Sequence, residues 1–421
     1  MIPRRKLLCG IGALAMVAAV GACSSSSKSA SNSASTSSPS GSAAGSAQPT
    51  GAPIKVGVVC SCSGPFGADI LPAEDVYKAW ADSVNASGGL EGHPVQLITE
   101  DDAATPGTSA SDAETLISDH VDAIVDLSIV DETWASTVQT ANIPVVGSNE
   151  TETPFTTNPD FYSEGQTNDS VIVANVLTAK SAGANNLGTY YCAEAPSCQE
   201  GVAPLKAAGQ KYGVPVVYNG EVAATAPNYT AQCLAAQQAH ASAIFIGDAS
   251  AVIARIGQNC AQQNYYPTYI TEGEGFANVL LTAPGISKNL WSEYSTIPFW
   301  DTSVPAVQTM NTEVDKYYPG IRSNNETWSE EGAESWAAGL LLRDAVKAGG
   351  LTASATPSAS EIVTGLDSLK NDTLDGMAPP ISFTAGQPHT IDCWFTAKVV
   401  NGTPSMVNNG QVTCSNGSSS S

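Results

Sequence analysis

The chain has 421 residues, of which 17 are Lys or Arg and 40 are Asp or Glu, for a formal net charge of -23. So negative a chain repels phosphate backbones and anionic lipid, which excludes nucleic acid as a partner. At 42% hydrophobic residues it can bury a sizeable core, so wholesale disorder is excluded, and the length suits two or three domains.

Arg4, Arg5 and Lys6 form a basic start, followed by an apolar run from Leu7 to Ala22. That run is shorter than the roughly 20 residues a transmembrane helix needs, so 1–22 reads as a signal peptide. Val20-Gly21-Ala22-Cys23 resembles a bacterial lipobox, which implies cleavage before Cys23 and a diacylglycerol on its sulfur. Arg4-Arg5 also matches a twin-arginine signal loosely. From Ser24 to about Gly51 nearly every residue is Ser, Ala, Gly, Thr or Pro, too little apolar area to offset ordering entropy. Residues 23–52 are therefore expected to be a lipidated cysteine and a tether, holding an exported protein to the outer face of the cytoplasmic membrane.

The body opens with a β-branched run, Ile54 to Cys60, that breaks at Ser63-Gly64-Pro65-Phe66-Gly67, so a buried strand feeds a loop. Helical spacing follows from Ala73 to Asn85, stopped by Ser87-Gly88-Gly89. Then come a strand at 94–98 ending in Glu100-Asp101-Asp102, a helix at 108–119, a strand at 123–125, a short helix at 134–140 and a strand at 143–146. The alternation restarts with a helix at 170–180 and a strand at 186–191. Helix and strand follow at 199–212 and 215–218, 229–239 and 243–247, and 251–259 and 267–270. The remainder holds a strand at 290–297, helices at 305–317, 329–348 and 358–370, and strands near 391–400 and 406–413 joined by the hairpin signal Asn401-Gly402. Two runs of strand–helix alternation predict an α/β chain of two similar lobes, each a mainly parallel sheet flanked by helices.

Ten cysteines are present. Cys9 leaves with the signal and Cys23 takes the lipid. The remaining eight, an even set in an exported chain, argue for disulfides. The expected pairs are Cys192–Cys198, Cys233–Cys260 and Cys393–Cys414; Cys60–Cys62 would follow by elimination, although so small a ring is strained. Cys60-Ser61-Cys62 has no second pair or histidine at finger spacing, so no metal is expected.

The stretch Val84-Asn85-Ala86-Ser87-Gly88-Gly89-Leu90-Glu91-Gly92-His93-Pro94-Val95, followed by Glu100-Asp101-Asp102, resembles the periplasmic binding proteins of the leucine/isoleucine/valine type. Ser63-Gly64-Pro65 and the Gly376 to Phe383 segment fit the same family, and the resemblance covers about 54–414. It implies three crossovers, placed near 162–168, 291–299 and 376–384. Lobe one would be 54–165 plus 300–378 and lobe two 166–292 plus 382–414, with 415–421 a disordered tail. It further implies a monomeric receptor that closes on a small-molecule solute, an amino acid first among them, and delivers it to the permease of an ABC importer. The alternative is a ligand sensor of the same fold, taking amides, short peptides or aromatic acids.

In open α/β sheets, ligands sit beyond the C-terminal ends of the strands. That rule selects Ser63 and Phe66, Ser128 and Asp131, and Ser148, Asn149 and Thr151 in lobe one. In lobe two it selects Tyr191, Asp248, Ser250, Glu272, Glu274 and Phe276. The resemblance implies that Ser128, Ser148, Asn149 and Thr151 hold a carboxylate, and that Glu272 or Glu274 holds an amine. Asp131 would favour a cation, Phe66 and Phe276 would be apolar walls, and Tyr191 either packs on the ligand or fills the core. No enzyme or cofactor is expected. His93, His120, His240 and His389 pair with no nucleophile motif, the Ser-X-X-Lys match at Ser25 to Lys28 falls in the tether, and no phosphate-binding glycine loop occurs.

Overall fold

A computed structural model describes residues 48–421 apart from 150, 195, 324, 416–418 and 421. The expected signal peptide, Cys23 and almost all of the tether lie outside the described residues.

The elements in chain order are β1 Ile54–Cys60, α1 Gly67–Ala86, β2 Val95–Asp101, α2 Pro106–Ser118, β3 Ala123–Leu127, α3 Ala135–Ala141, β4 Val145–Ser148, α4 Pro154–Thr157 and β5 Phe161–Tyr162. There follow α5 Asn168–Ser181, β6 Leu187–Cys192, α6 Pro196–Glu200, α7 Val202–Tyr212, β7 Val216–Val222, α8 Thr230–Gln238, β8 Ala243–Gly247, α9 Ser250–Gln262, β9 Thr268–Thr271 and β10 Asn289–Tyr294. The chain continues with α10 Pro305–Tyr317, α11 Glu331–Ala348, α12 Ala359–Ser368, β11 Cys393–Val400, β12 Thr403–Met406, β13 Val412–Cys414 and β14 Ser419–Ser420.

Two sheets form. The first runs β2-β1-β3-β4-β5, all parallel. The second runs β14-β13-β11-β10-β9-β8-β6-β7, parallel from β7 to β10 and antiparallel beyond, with β12 also on β11. In each sheet the order reverses beside the first strand, at β1/β3 and β6/β8, and such reversals open a crevice at the strand ends. β1 is buried along nearly its whole length, as a central parallel strand covered on both faces must be. Helix α11 packs against α1, α12 and β4, so the late helices complete the first sheet's lobe. Among the described residues no helix is long and apolar enough to cross a membrane.

The chain passes between the lobes at 163–167, 295–304 and 369–392. These passages are tied to one another by backbone: Thr167 N–H donates to Ile391 O at 3.0 Å, and Ile297 N–H to Met377 O at 2.7 Å.

Several boundaries differ from expectation for identifiable reasons. Helix α1 starts six residues earlier than predicted, at Gly67, and runs through Pro72. Proline has no N–H for the Ala68 carbonyl, and the Thr327 hydroxyl donates to that carbonyl instead at 2.6 Å. The single helix expected at 199–212 is two, divided at Gly201, and the Cys192–Cys198 disulfide holds the first to the end of β6. The hairpin forms at Asn401-Gly402, both at positive φ (50° and 78°), which closes Val400 on Thr403. Its return strand is split: β12 pairs with the end of β11 and β13 with its start, where Cys393 faces Cys414. Ser419–Ser420, within the segment expected as a disordered tail, pairs with β13. All four disulfides are formed, Cys60–Cys62 included.

Candidate functional site

A cleft opens between the strand ends of the two sheets. It holds about 1220 Å³ of space, its mouth included. Lobe one contributes Phe66, Asp69 and Ile70 before and in the first turn of α1, Ile129 after β3, Asn149, Thr151 and Glu152 after β4, and Glu331 at the start of α11. Lobe two contributes Thr189, Tyr191 and Cys192 from β6, Cys198 from α6, and Val202 and Leu205 from α7. It adds Phe245, Gly247 and Asp248 around the end of β8, Glu272 and Glu274 after β9, and Asn168, Val171, Ile172 and Asn175 from α5.

Of the residues expected from the sequence, the cleft wall brings together Phe66, Asn149, Thr151, Tyr191, Asp248, Glu272 and Glu274. It does not include Ser63, Ser128, Asp131, Ser148, Ser250 or Phe276. Ser63 is exposed, and its N–H donates to Asp101 Oδ1 at 3.2 Å. Ser128 is buried with its hydroxyl turned to Asp102, so the next residue, Ile129, faces the cleft. Asp131 is buried beside Asp126, where desolvation and then the Asp126 charge hold its carboxyl well above the ordinary range. Ser148 is buried in the register of β4, opposite Asp126. Phe276 packs on Tyr294 and Phe299, with ring centroids 5.6 and 6.2 Å away. Ser250 stands behind the wall and donates its hydroxyl to the wall residue Asp69 at 2.8 Å.

Among the described residues, two hydrogen bonds between side chains join the lobes at the cleft. One is Asp69–Ser250; the other is Thr151, whose hydroxyl donates to Glu274 Oε2 at 3.3 Å. Segment 277–279 of lobe two also pairs by backbone with 326–329 of lobe one. Asn149 is committed within its own lobe, its Nδ2 donating to Ser128 O at 2.6 Å.

The wall is acidic: Asp69, Glu152, Asp248, Glu272, Glu274 and Glu331 line it, with no Lys, Arg or His among the described lining residues. Burial raises Asp69, Glu152, Asp248, Glu272 and Glu274, and neighbouring acids add like charge at Glu152, Asp248 and Glu272. Glu272 is pushed up to about 8 by desolvation, then by Glu274 and Asp248. Desolvation pushes Glu274 up to about 7 against the opposing Thr151 bond. Asp248 also rises to about 7, by desolvation first. Glu152 lies well above the usual range, by desolvation and then the Asp131 charge. Among the described residues no three His, Cys, Asp or Glu side chains are grouped so as to hold a metal ion. An acidic, partly apolar crevice between two lobes can bind and enclose a positively charged solute.

Asp69, Glu152 and Glu331 escape sequence reasoning. Glu152 directly follows Thr151, and the strand-end rule extended by one residue finds it. Asp69 lies in the part of α1 that Pro72 disguises. Glu331 comes from a helix, and no strand-end signal points to it.

The sequence matches the family model described as Periplasmic binding protein over residues 53–404. No curated protein sequence matches it. Among solved structures, the chain is similar to a branched chain amino acid ABC transporter protein from Thermus thermophilus with bound valine. The TM-score is 0.75 and the identity 13%, over 84% of this chain and 95% of that one. It is also similar to a possible leucine/isoleucine/valine-binding protein from Rhodopirellula baltica SH 1, with TM-score 0.72 and 16% identity over 85% and 97% of the two chains. A fatty acid ABC transporter substrate-binding protein from Thermomonospora curvata gives a TM-score of 0.68 and 16% identity over 86% and 94%. At these identities the structures speak for the fold, and the family model speaks for the lineage: the chain belongs to the periplasmic binding protein family.

Proposed function

We propose that the chain captures a small amine-bearing solute outside the cytoplasm and presents it to the permease of an ABC importer, without a chemical step. The observation that carries this reading is the acidic cleft, lined from both lobes and bridged across by Asp69–Ser250 and Thr151–Glu274. A cation there gains charge-assisted hydrogen bonds in a partly desolvated site and draws the lobes together. The amino acid expected from the sequence is one member of this class, its amine suited to Glu272 and Glu274. The valine held by the Thermus thermophilus relative supports it. The lipobox-like Val20-Gly21-Ala22-Cys23 supports a lipid anchor that keeps the receptor near its permease; membrane retention of a Cys23→Ala variant counts against that anchor.

The test is calorimetry on the purified chain with amines, amino acids, amides, sugars and aromatic acids. We expect an amine-bearing ligand, and at least tenfold weaker binding, about 1.4 kcal/mol, in the Glu272→Gln/Glu274→Gln double variant. Unchanged affinity in that variant overturns the assignment.

A further inference from the structure

We infer that the preferred solute carries at least two ammonium groups joined by an apolar chain, a linear diamine or polyamine in place of a zwitterionic amino acid. This rests on the solute-capture reading above and names the substrate class of the same cleft.

The first observation is the arrangement of the acids. They form an unbroken series in which each acts electrostatically on the next: Glu152 with Glu274, Glu274 with Glu272, Glu272 with Asp248, and Asp248 with Asp69. One ammonium group offers three N–H donors and a single charge. Set beside one or two of these carboxyls, it leaves the rest of the series uncompensated. A free carboxylate on the solute would enter the same field with no Lys, Arg or His among the described wall residues to receive it.

The second observation is independent and lies in the hydrogen bonding. Asp248 is only 7% exposed, and its Oδ1 accepts the Ala249 N–H at 2.8 Å. Its Oδ2 is buried with no hydrogen-bond partner. The nearest acting cation, Arg255, is committed elsewhere: its guanidinium donates to the Ala224 and Ala226 carbonyls and stacks over the Tyr229 ring. Further along the series, beyond Glu272, Glu274 Oε1 is likewise buried and unpartnered. A buried carboxylate oxygen without a donor is costly, and it marks where a donor from the solute belongs. Two such oxygens on two residues call for two donors. Among the described residues no three carboxyls are grouped for a metal ion, which favours an organic cation. Phe66, Ile129, Tyr191 and Phe245 supply apolar wall for the methylene chain, and the aromatic faces also attract ammonium.

The test is calorimetry on the full chain with putrescine, cadaverine and spermidine, against butylamine, leucine and octanoate. We expect at least one of the first three to bind at least tenfold tighter than butylamine or leucine. We further expect Asp248→Asn to narrow that gap at least threefold, because it removes the charge at one of the two unpartnered oxygens while keeping the acceptor for the Ala249 N–H. Tighter binding of leucine overturns the dication assignment and leaves capture of an amine-bearing solute standing; tighter binding of octanoate overturns both. Binding of all three no tighter than that of butylamine, or an unchanged gap in Asp248→Asn, also overturns the dication assignment alone. No binding by any of the six counts against both readings.

Discussion

Asp69 in the first turn of α1 and Ser250 at the start of α9 belong to different lobes and meet across the cleft, the Ser250 hydroxyl donating to Asp69 Oδ1 at 2.8 Å. The Ser250 backbone N–H also acts on the same carboxylate and favours its charged form. Helix α9 has Ala249 at its N-cap and no cap of its own. Lobe one thus supplies the acceptor, and the negative charge, that the N-terminus of a lobe-two helix lacks. Separating the lobes removes it, so this bond favours the closed form. Asp69→Ala should weaken ligand affinity about tenfold, in line with the ~1–2 kcal/mol a helix cap contributes. Asp69→Asn should recover part of it. Calorimetry checks the affinity, and small-angle scattering should show the free Ala variant as more open. Unchanged affinity and scattering would remove the role in closure.

Two disulfides should separate stability from binding. Cys233–Cys260 staples α8 to α9 with a sequence separation of 27, and neither cysteine lines the cleft. Cys192–Cys198 closes a separation of only 6, and both of its cysteines are in the wall. Chain entropy assigns about 3.6 kcal/mol to the longer loop and about 2.3 kcal/mol to the shorter. Cys233→Ser/Cys260→Ser should therefore lower Tm more and leave affinity within about twofold. Cys192→Ser/Cys198→Ser should lower Tm less and weaken binding several-fold. Reversal of this order in melting and calorimetry would show that α6 is held in place by other contacts.

The parts of this fold legible in the sequence are those fixed by local chemistry. Strand β8 at 243–247 and helix α10 at 305–317 match their predicted bounds, because each combines a clear period with a clear breaker. The Asn401-Gly402 turn was legible because only residues tolerant of positive φ close a two-residue hairpin. Strand-end position likewise locates Asn149, Asp248, Glu272 and Glu274 at the cleft. Side-chain direction is a different matter. Ser128 turns inward because Asp102, 26 residues earlier in the chain, accepts its hydroxyl, and no local pattern reports that. Phe276 looks like an apolar wall until the fold brings Tyr294 and Phe299 onto it. The early start of α1 was hidden because a proline reads as a helix stop unless a distant donor, here Thr327, satisfies the carbonyl it leaves open.

The contact of α1 with α11 depends on Gly339. A Cβ at that position would lie 2.4 Å from Cδ2 of Trp80, whose ring is buried with 1% exposed. Neither helix can shift freely, since α11 is also held between α12 and β4. Gly339→Ala should destabilise the protein by about 1–3 kcal/mol, the usual cost of overpacking, despite alanine's better helix propensity. Chemical denaturation measures it. A Tm equal to or above that of the parent would mean that the Trp80 ring yields.

The cleft carboxyls should make the free protein less stable as pH rises. Glu272 is raised to about 8 and Glu274 and Asp248 to about 7, in each case first by desolvation. Their unfolded values are near 4. Between about pH 4 and pH 8 the native state therefore binds more protons than the unfolded state, and stability falls as pH rises through the native values. His389 acts oppositely but lower: burial depresses it from 6.5 to about 4, so its destabilising effect begins only as pH falls below about 6.5. From about pH 6.5 to pH 8 the carboxyls dominate, and Tm of the free protein should decline. Glu272→Gln should flatten that decline, since it removes the highest of these three groups. A cationic ligand needs these groups ionised, so its affinity should rise over the same interval and its binding should release protons near pH 7. Calorimetry in buffers of different ionisation enthalpy counts those protons. Proton uptake on binding, or a Tm that climbs from about pH 6.5 to pH 8, would mean that the acids are not the groups the solute engages.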